Sequence, residues 1–229
     1  MYRSETTRTA PMFAKPASAA AKPLPRQRLD GWRVLDVAIS LVALLFFLPI
    51  LAITAVAVKL QDGGPVLFGQ DRIGRDGRSF RCLKFRSMVV DSDQRLQALF
   101  ARDPIARREW DRDHKLRNDP RITDLGRFLR VSSIDELPQL LNVLRGEMSL
   151  IGPRPIVEAE VPRYGRWFRH YCSVRPGISG LWQVSGRSDV SYRRRVALDI
   201  LYVRKRSVMF NLWIIMRTVP AVLLQSGSY

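Results

Sequence analysis

The chain has 229 residues, and its 38 Lys+Arg against 21 Asp+Glu give a net charge of +17. That length fits one cored domain or a small domain with appendages, and the charge implies an anionic partner: nucleic acid, an anionic membrane face or a phosphorylated substrate. Cys82 and Cys172 are far apart, with no CxxC and no Cys/His cluster, which argues against a disulfide framework and a zinc site.

Residues 1–32 are rich in Ala, Pro, Thr and basic residues and show no apolar period, so they read as a disordered basic arm. Residues 33–60 read as a membrane helix. Val37 to Val58 carries no charge, with Arg33 and Asp36 before it and Lys59 after it. The run is long enough to cross a bilayer. It is too long, and starts too late, for a secretory signal. Pro49 near its middle removes a hydrogen bond to the carbonyl of Leu45, and both flanks are basic. A re-entrant helix fits those facts. Ordinary spans tolerate proline too, so the residues alone leave a straight span and a re-entrant helix open.

Residues 62–90 read as a β-hairpin. Asp62-Gly63-Gly64-Pro65 and Gly74-Arg75-Asp76-Gly77 are turns, and Ser79 to Met88 carries a strand. Phe80 and Cys82 face a core, while Lys84 and Arg86 share a face if the strand is regular. That face is either solvated or turned to substrate. Residues 91–117 form two helices interrupted at Pro104, and Asn118-Asp119-Pro120-Arg121 is a turn. Thr123 to Arg130 leads into Ser132-Ser133-Ile134-Asp135-Glu136-Leu137-Pro138-Gln139-Leu140.

That stretch has two readings. Ser133 and Glu136 fit a capping box, with Asp135 in the first helical turn and Leu137, Leu140, Leu141 and Leu144 as a core stripe. Pro138 lies late for a first-turn proline in that frame, so the helix can start a residue or two further on. Alternatively the paired carboxylates are a nucleophile and its helper. Asp can attack phosphorus to give an acyl phosphate, an adjacent carboxylate can help hold Mg²⁺, and arginines bind phosphate as forks. Arg130, Arg154 and Arg175 sit in or beside turn-rich segments suited to that task.

A helical stretch is expected near 157–171, a Gly/Pro loop over 174–180, a short strand at Trp182-Gln183-Val184 and a turn at Gly186-Arg187-Ser188-Asp189. Residues 191–205 form a basic helix. Residues 208–224 are apolar, broken by Pro220, and fit an interfacial helix or a buried core helix.

Five segments, in order, carry a family resemblance. They are Lys84-Phe85-Arg86-Ser87-Met88, Asp119 to Arg130, Ile134 to Gln139, Gly152-Pro153-Arg154-Pro155 and Arg175 to Gln183. From about Arg33 to Tyr229 the chain resembles bacterial sugar transferases, the monotopic polyprenyl-phosphate phosphoglycosyl transferases. The resemblance implies an α/β, membrane-associated fold: a re-entrant helix around Pro49, then a small, mostly helical catalytic domain over 61–229 with a short β-hairpin and interfacial amphipathic helices. Leu48 precedes that proline where relatives often have Ser. It implies that Asp135 attacks the sugar-bearing phosphate of a UDP-sugar, releasing UMP, and that the phosphosugar passes to undecaprenyl phosphate. Glu136 matches the second acidic residue, and Mg²⁺ is the expected cofactor, held by Asp135 and Glu136. Arg130, Arg154 and Arg175 match phosphate-holding arginines, with Lys84 and Arg86 as further substrate contacts. The implied place is the cytoplasmic face of the bacterial inner membrane, with membrane lipids as neighbours. Asp189-Val190-Ser191-Tyr192 and Gly227-Ser228-Tyr229 look most like exopolysaccharide galactosyl-phosphate transferases.

Two other classes compete. A nucleic-acid binder would not need the apolar run, and the basic residues are not interleaved with aromatics in a binding motif. A membrane-attached scaffold would use Asp135-Glu136 only as a helix cap.

Overall fold

The computed structural model describes residues 31–113, 116, 118–186 and 190–223. The expected arm up to residue 30, Arg187-Ser188-Asp189 of the expected turn and Gly227-Ser228-Tyr229 lie outside the described residues.

The first helix, α1, runs Gly31–Asp62 and so takes in two residues assigned to the arm. It is the one described helix long and apolar enough to cross a membrane. It continues through Pro49, so the expected interruption of the helix there is not found. Its buried residues, Trp32, Asp36, Ser40, Thr54 and Val58, fall on one stripe at about 100° per residue. Pro49 stands roughly 150° around from them. Between the two ends the helix exposes Leu41, Val42, Leu45, Phe46 and Leu48.

Both ends of α1 are tied to one folded body. At the start, the Trp32 indole donates to Ser149 Oγ at 3.1 Å and Arg33 Nη2 to the Leu144 carbonyl at 3.2 Å. The Leu150 N–H donates to Asp36 Oδ1 at 3.0 Å. At the far end, Val58 packs with Phe85 and Leu129. There Arg86 pairs with Asp62 and donates to the Val58 carbonyl.

Strands β1 (Leu67–Ile73) and β2 (Ser79–Phe85) form the expected antiparallel hairpin. Its turn needs positive φ at Asp76 and Gly77, which explains the Asp-Gly pair. Helices α2 (Ser92–Arg102) and α3 (Pro104–Asp113) follow, then α4 (Asp124–Val131). Thr123 caps α4, its hydroxyl accepting from the Gly126 N–H at 2.9 Å. Helix α5 is Gln139–Arg145, ending on Gly146 at φ 83. Its buried side is Leu140, Asn142 and Val143 with Gln139, rather than the whole leucine stripe.

Strand β3 (Ser149–Ile151) pairs in parallel with β4 (Gly177–Ser179). Trp182 and its neighbours therefore do not form the expected strand: Leu181–Val184 is a helical turn, α8. Gly152 and Gly177 pass so closely that a Cβ on Gly177 would lie 2.0 Å from the Gly152 nitrogen. Only bare backbone lets the two Gly/Pro loops meet there. The expected helix near 157–171 is in pieces: a 3₁₀ turn at Glu158–Glu160, then α6 (Val161–Tyr164) and α7 (Phe168–Cys172) joined by a second at Gly165–Trp167. Gly165, at φ 48, sits at that break.

Helix α9 (Tyr192–Lys205) matches the expected basic helix. Helix α10 (Val208–Leu223) runs on through Pro220 rather than breaking at it. Asn211 and Ile214 are buried, whereas Met209, Trp213 and Met216 are exposed, so α10 has one core face and one bare apolar face. The core is four clusters, and each end of α1 belongs to a different one.

Candidate active site

Asn142 positions the central stretch. It is fully buried, its Nδ2 donates to the Arg81 carbonyl at 2.8 Å, and its Oδ1 accepts from the Leu83 N–H at 3.0 Å. One amide side chain thus takes the place of a neighbouring strand along the free edge of β2. It fixes α5 there, and the residues just before α5 end up beside Lys84.

From the other side, α4 lies directly on Ser87. A Cβ on Gly126 would meet the Ser87 carbonyl oxygen at 1.9 Å, and the Thr123 N–H donates to that same oxygen at 3.3 Å. This contact brings Arg130 Nε to Ser87 Oγ at 2.8 Å.

Between α4 and α5, Ser133 has a left-handed backbone, φ 58, uncommon for a residue other than glycine. Its side chain makes no capping bond, so the expected capping box is absent. Ile134–Glu136 is a 3₁₀ turn, and α5 starts after Pro138. Freed from capping, Glu136 accepts from Lys84 Nζ at 2.6 Å, and Asp135 Oδ2 lies 3.5 Å from the same nitrogen.

The two carboxylates differ. Asp135 is 5% exposed. Burial pushes its carboxyl up from the ordinary aspartate value, and the Glu136 charge adds to that, while Lys84 and Arg130 pull the other way. For Glu136, burial also opposes the charge, but Lys84, helped by Arg154 and Arg72, outweighs it and holds the carboxyl low. Glu136 is the tighter partner of the lysine. Asp135 is the less committed of the two carboxylates.

The expected cations separate. Lys84, Arg130 and Arg154 gather around the carboxylates. Arg154 also lies over the Trp182 ring at 5.5 Å, and Arg195 lies over the same ring at 5.0 Å. Arg86 leaves the strand just after β2 ends. It no longer shares a face with Lys84, and its bonds go to α1. Arg175 turns away as well: its Nε donates to the Gly146 carbonyl at 2.8 Å, and Arg75, Arg33, Asp36 and Asp76 are its charged neighbours.

The sequence reading missed three supports. Arg72 donates to the Pro155 carbonyl at 3.0 Å and so anchors the Arg154 loop. Asp199, 1% exposed, accepts from Tyr164 Oη at 2.7 Å, and its acidity is influenced by the Arg154 backbone and side chain. Asn142 is the third. A lone Asp in a basic helix and a lone Asn among leucines were the visible signs, since such polar groups are buried only when hydrogen-bonded.

Paired carboxylates under clustered cations, carried by a domain that holds both ends of a long apolar helix, have the chemistry to engage an anionic, phosphate-bearing group. The chain belongs to the bacterial sugar transferase family, whose sequence profile matches residues 29–225. It is 45% identical to the "Exopolysaccharide production protein ExoY" of Rhizobium meliloti over 229 residues, 100% of both chains. It is 53% identical over 192 residues to the "UDP-galactose-lipid carrier transferase" of Erwinia amylovora, covering 84% of this chain and 40% of that one. It is 48% identical over 197 residues to the "Undecaprenyl-phosphate galactose phosphotransferase" of Salmonella typhimurium, covering 86% of this chain and 41% of that one. The chain thus spans less than half of these last two proteins.

Proposed function

We propose that this transferase moves a sugar 1-phosphate, galactose 1-phosphate in the favoured reading, from a UDP-sugar to undecaprenyl phosphate in exopolysaccharide synthesis. The observation that carries the reading is Asp135, buried and poised between Lys84 and Arg130 inside a sugar-transferase sequence. The names of the Erwinia and Salmonella relatives favour galactose. UDP-glucose or a UDP-N-acetyl sugar is the alternative donor for the same chemistry.

In the first step an Asp135 carboxylate oxygen attacks the sugar-bearing phosphorus. The new bond is O–P, the P–O bond to the uridine-bearing phosphate breaks, and UMP leaves. In the second step a phosphate oxygen of undecaprenyl phosphate attacks the same phosphorus. The aspartyl O–P bond breaks, Asp135 is regenerated, and the product is an undecaprenyl-diphosphate sugar. Lys84, Arg130 and Arg154 offset the charge on the phosphoryl oxygens. Glu136 keeps Lys84 in place.

Two adjacent carboxylates, with substrate phosphates to complete the shell, suit Mg²⁺. Among the described residues no third acidic, His or Cys group joins them. Asp135 and Glu136 are the residues that would hold the ion, and it would supply charge neutralisation at the diphosphate.

The membrane reading rests on both ends of α1 being bound to one body. The helix enters the bilayer from the catalytic side and returns to it, bending at Pro49, with the domain on the cytoplasmic face of the inner membrane.

The test is UMP release from UDP-galactose by purified full-length protein with Mg²⁺ and undecaprenyl phosphate. Asp135→Asn should lower turnover roughly a thousandfold or more while leaving the protein folded. Near-normal release by that variant would remove Asp135 as the nucleophile. Release from UDP-glucose alone would change the sugar and keep the chemistry.

A further inference from the structure

A second cationic cavity, of about 170 Å³, shares no lining residue with the Asp135 cluster. It lies where the start of α1 meets the α9–α10 junction, between Trp32, Arg33, Asp36, Arg175, Arg206 and Asn211. Arg33 and Arg175 face one lining carboxylate there, with Arg206 beside them. That carboxylate is already engaged, since Asp36 Oδ1 accepts from the Leu150 N–H at 3.0 Å. Arg33 Nη1 is buried with no hydrogen-bond partner, and its Nη2 is held by the Leu144 carbonyl. Arg175 is likewise held by a backbone carbonyl, that of Gly146. Carbonyls orient these guanidiniums and do not neutralise them. The cavity therefore keeps an excess of positive charge and an unfilled buried donor, and both suit a phosphate oxygen.

The surroundings narrow the source of that phosphate. The cavity opens at the roots of two helices with bare apolar faces: Val34 on α1 is 63% exposed, and Met209 on α10 is 75% exposed. A bilayer that took in both faces would put its headgroup layer at the level of the arginines, where basic pockets between membrane helices hold anionic lipid heads.

We propose that this cavity binds the phosphate of an anionic membrane phospholipid, fixing the depth at which the domain sits. The proposal rests on the seating of α1 in a bilayer argued above.

The full-length protein is exchanged into nanodiscs of phosphatidylcholine with a minority of phosphatidylglycerol, and retained lipids are counted by native mass spectrometry. Native protein should retain phosphatidylglycerol over phosphatidylcholine. Arg33→Gln and Arg206→Gln should each reduce that preference roughly fivefold. Arg206→Lys should keep most of it, and UMP release in detergent should stay near native for both Arg206 variants. Equal retention in native and neutralised proteins overturns the site. Inorganic phosphate binding with the same arginine dependence, without lipid preference, overturns the lipid assignment. Failure of native protein to float with any vesicle overturns the seating and this proposal together, whereas floating without selectivity overturns this proposal alone.

Discussion

At the scale of single residues, the site is a contest between burial and charge. Asp135 and Glu136 are neighbours in sequence, yet their acidities shift in opposite directions because Lys84 sits 2.6 Å from one and 3.5 Å from the other. Asp199 shows the same contest with burial as the winner. Burial raises its carboxyl to about 7, and the hydrogen bond from Tyr164 and the charge of Arg195 only partly offset that. The folded state thus holds a proton on Asp199 that the unfolded chain, near 3.8, has released. The associated stability is fully present below about pH 4 and is lost as pH rises towards 7. Asp199→Asn keeps an acceptor for Tyr164 and removes the titration. Thermal unfolding between pH 4 and 8 should show native protein losing stability relative to the variant across that interval. Parallel curves would mean that Asp199 is charged throughout.

At the scale of elements, close backbone approach decides what the site contains. Glycine at position 126 costs α4 up to about 1 kcal/mol in helix propensity relative to alanine. Alanine there would place a Cβ 1.9 Å from the Ser87 carbonyl, and overpacking costs about 1–3 kcal/mol, so sterics win. Gly126→Ala should be less stable by up to about 2 kcal/mol net. It should also lose activity, because α4 carries Arg130 away from Ser87; denaturant unfolding and UMP release measure the two. A more stable variant would mean that α4 slides freely. Such contacts explain what was and was not legible. The hairpin, the basic helix α9 and the pairing of Asp135 with Glu136 follow from period-2 and period-3.6 patterns and turn residues, which act locally. The absent capping box and the strand at Gly177–Ser179 instead of Trp182-Gln183-Val184 depended on long-range partners. Ser133 adopts a left-handed backbone where the chain turns from α4 into the 3₁₀ turn ahead of α5. The segment Gly177–Ser179 is a strand because Gly152 lies against it. Lys84 and Arg86 share a strand pattern but part where β2 ends, and no periodicity marks that point.

At the scale of the whole molecule, the question is how a helix of 32 residues, about 48 Å if straight, sits in a bilayer whose apolar core is about 30 Å thick. Hydropathy alone allows a crossing. The anchoring supports the proposed re-entrant seating: in a straight helix Trp32 and Val58 would be about 39 Å apart, and a crossing would leave them on opposite faces of the membrane. Yet Trp32 bonds to Ser149 and Val58 packs on Phe85, within one domain. Pro49 lies across from the buried stripe. A proline ring crowds the carbonyl four residues before it, here that of Leu45, and in the proposed seating this would bend the helix away from the proline, towards the domain side. In the proposed seating, curvature in that direction would let the exposed middle, Leu41 to Leu48, dip into lipid while both ends stay at one surface. Cysteines placed at Gly31 and at Gln61, each in a chain with Cys82 and Cys172 replaced, should be labelled from the same side of sealed inverted vesicles. Pro49→Leu removes the bend and should shift part of the population to opposite-side labelling, with a matching loss of activity. Opposite-side labelling in the chain that keeps Pro49 would require one set of anchoring contacts to be broken in the membrane, and the same-side reading would then fall.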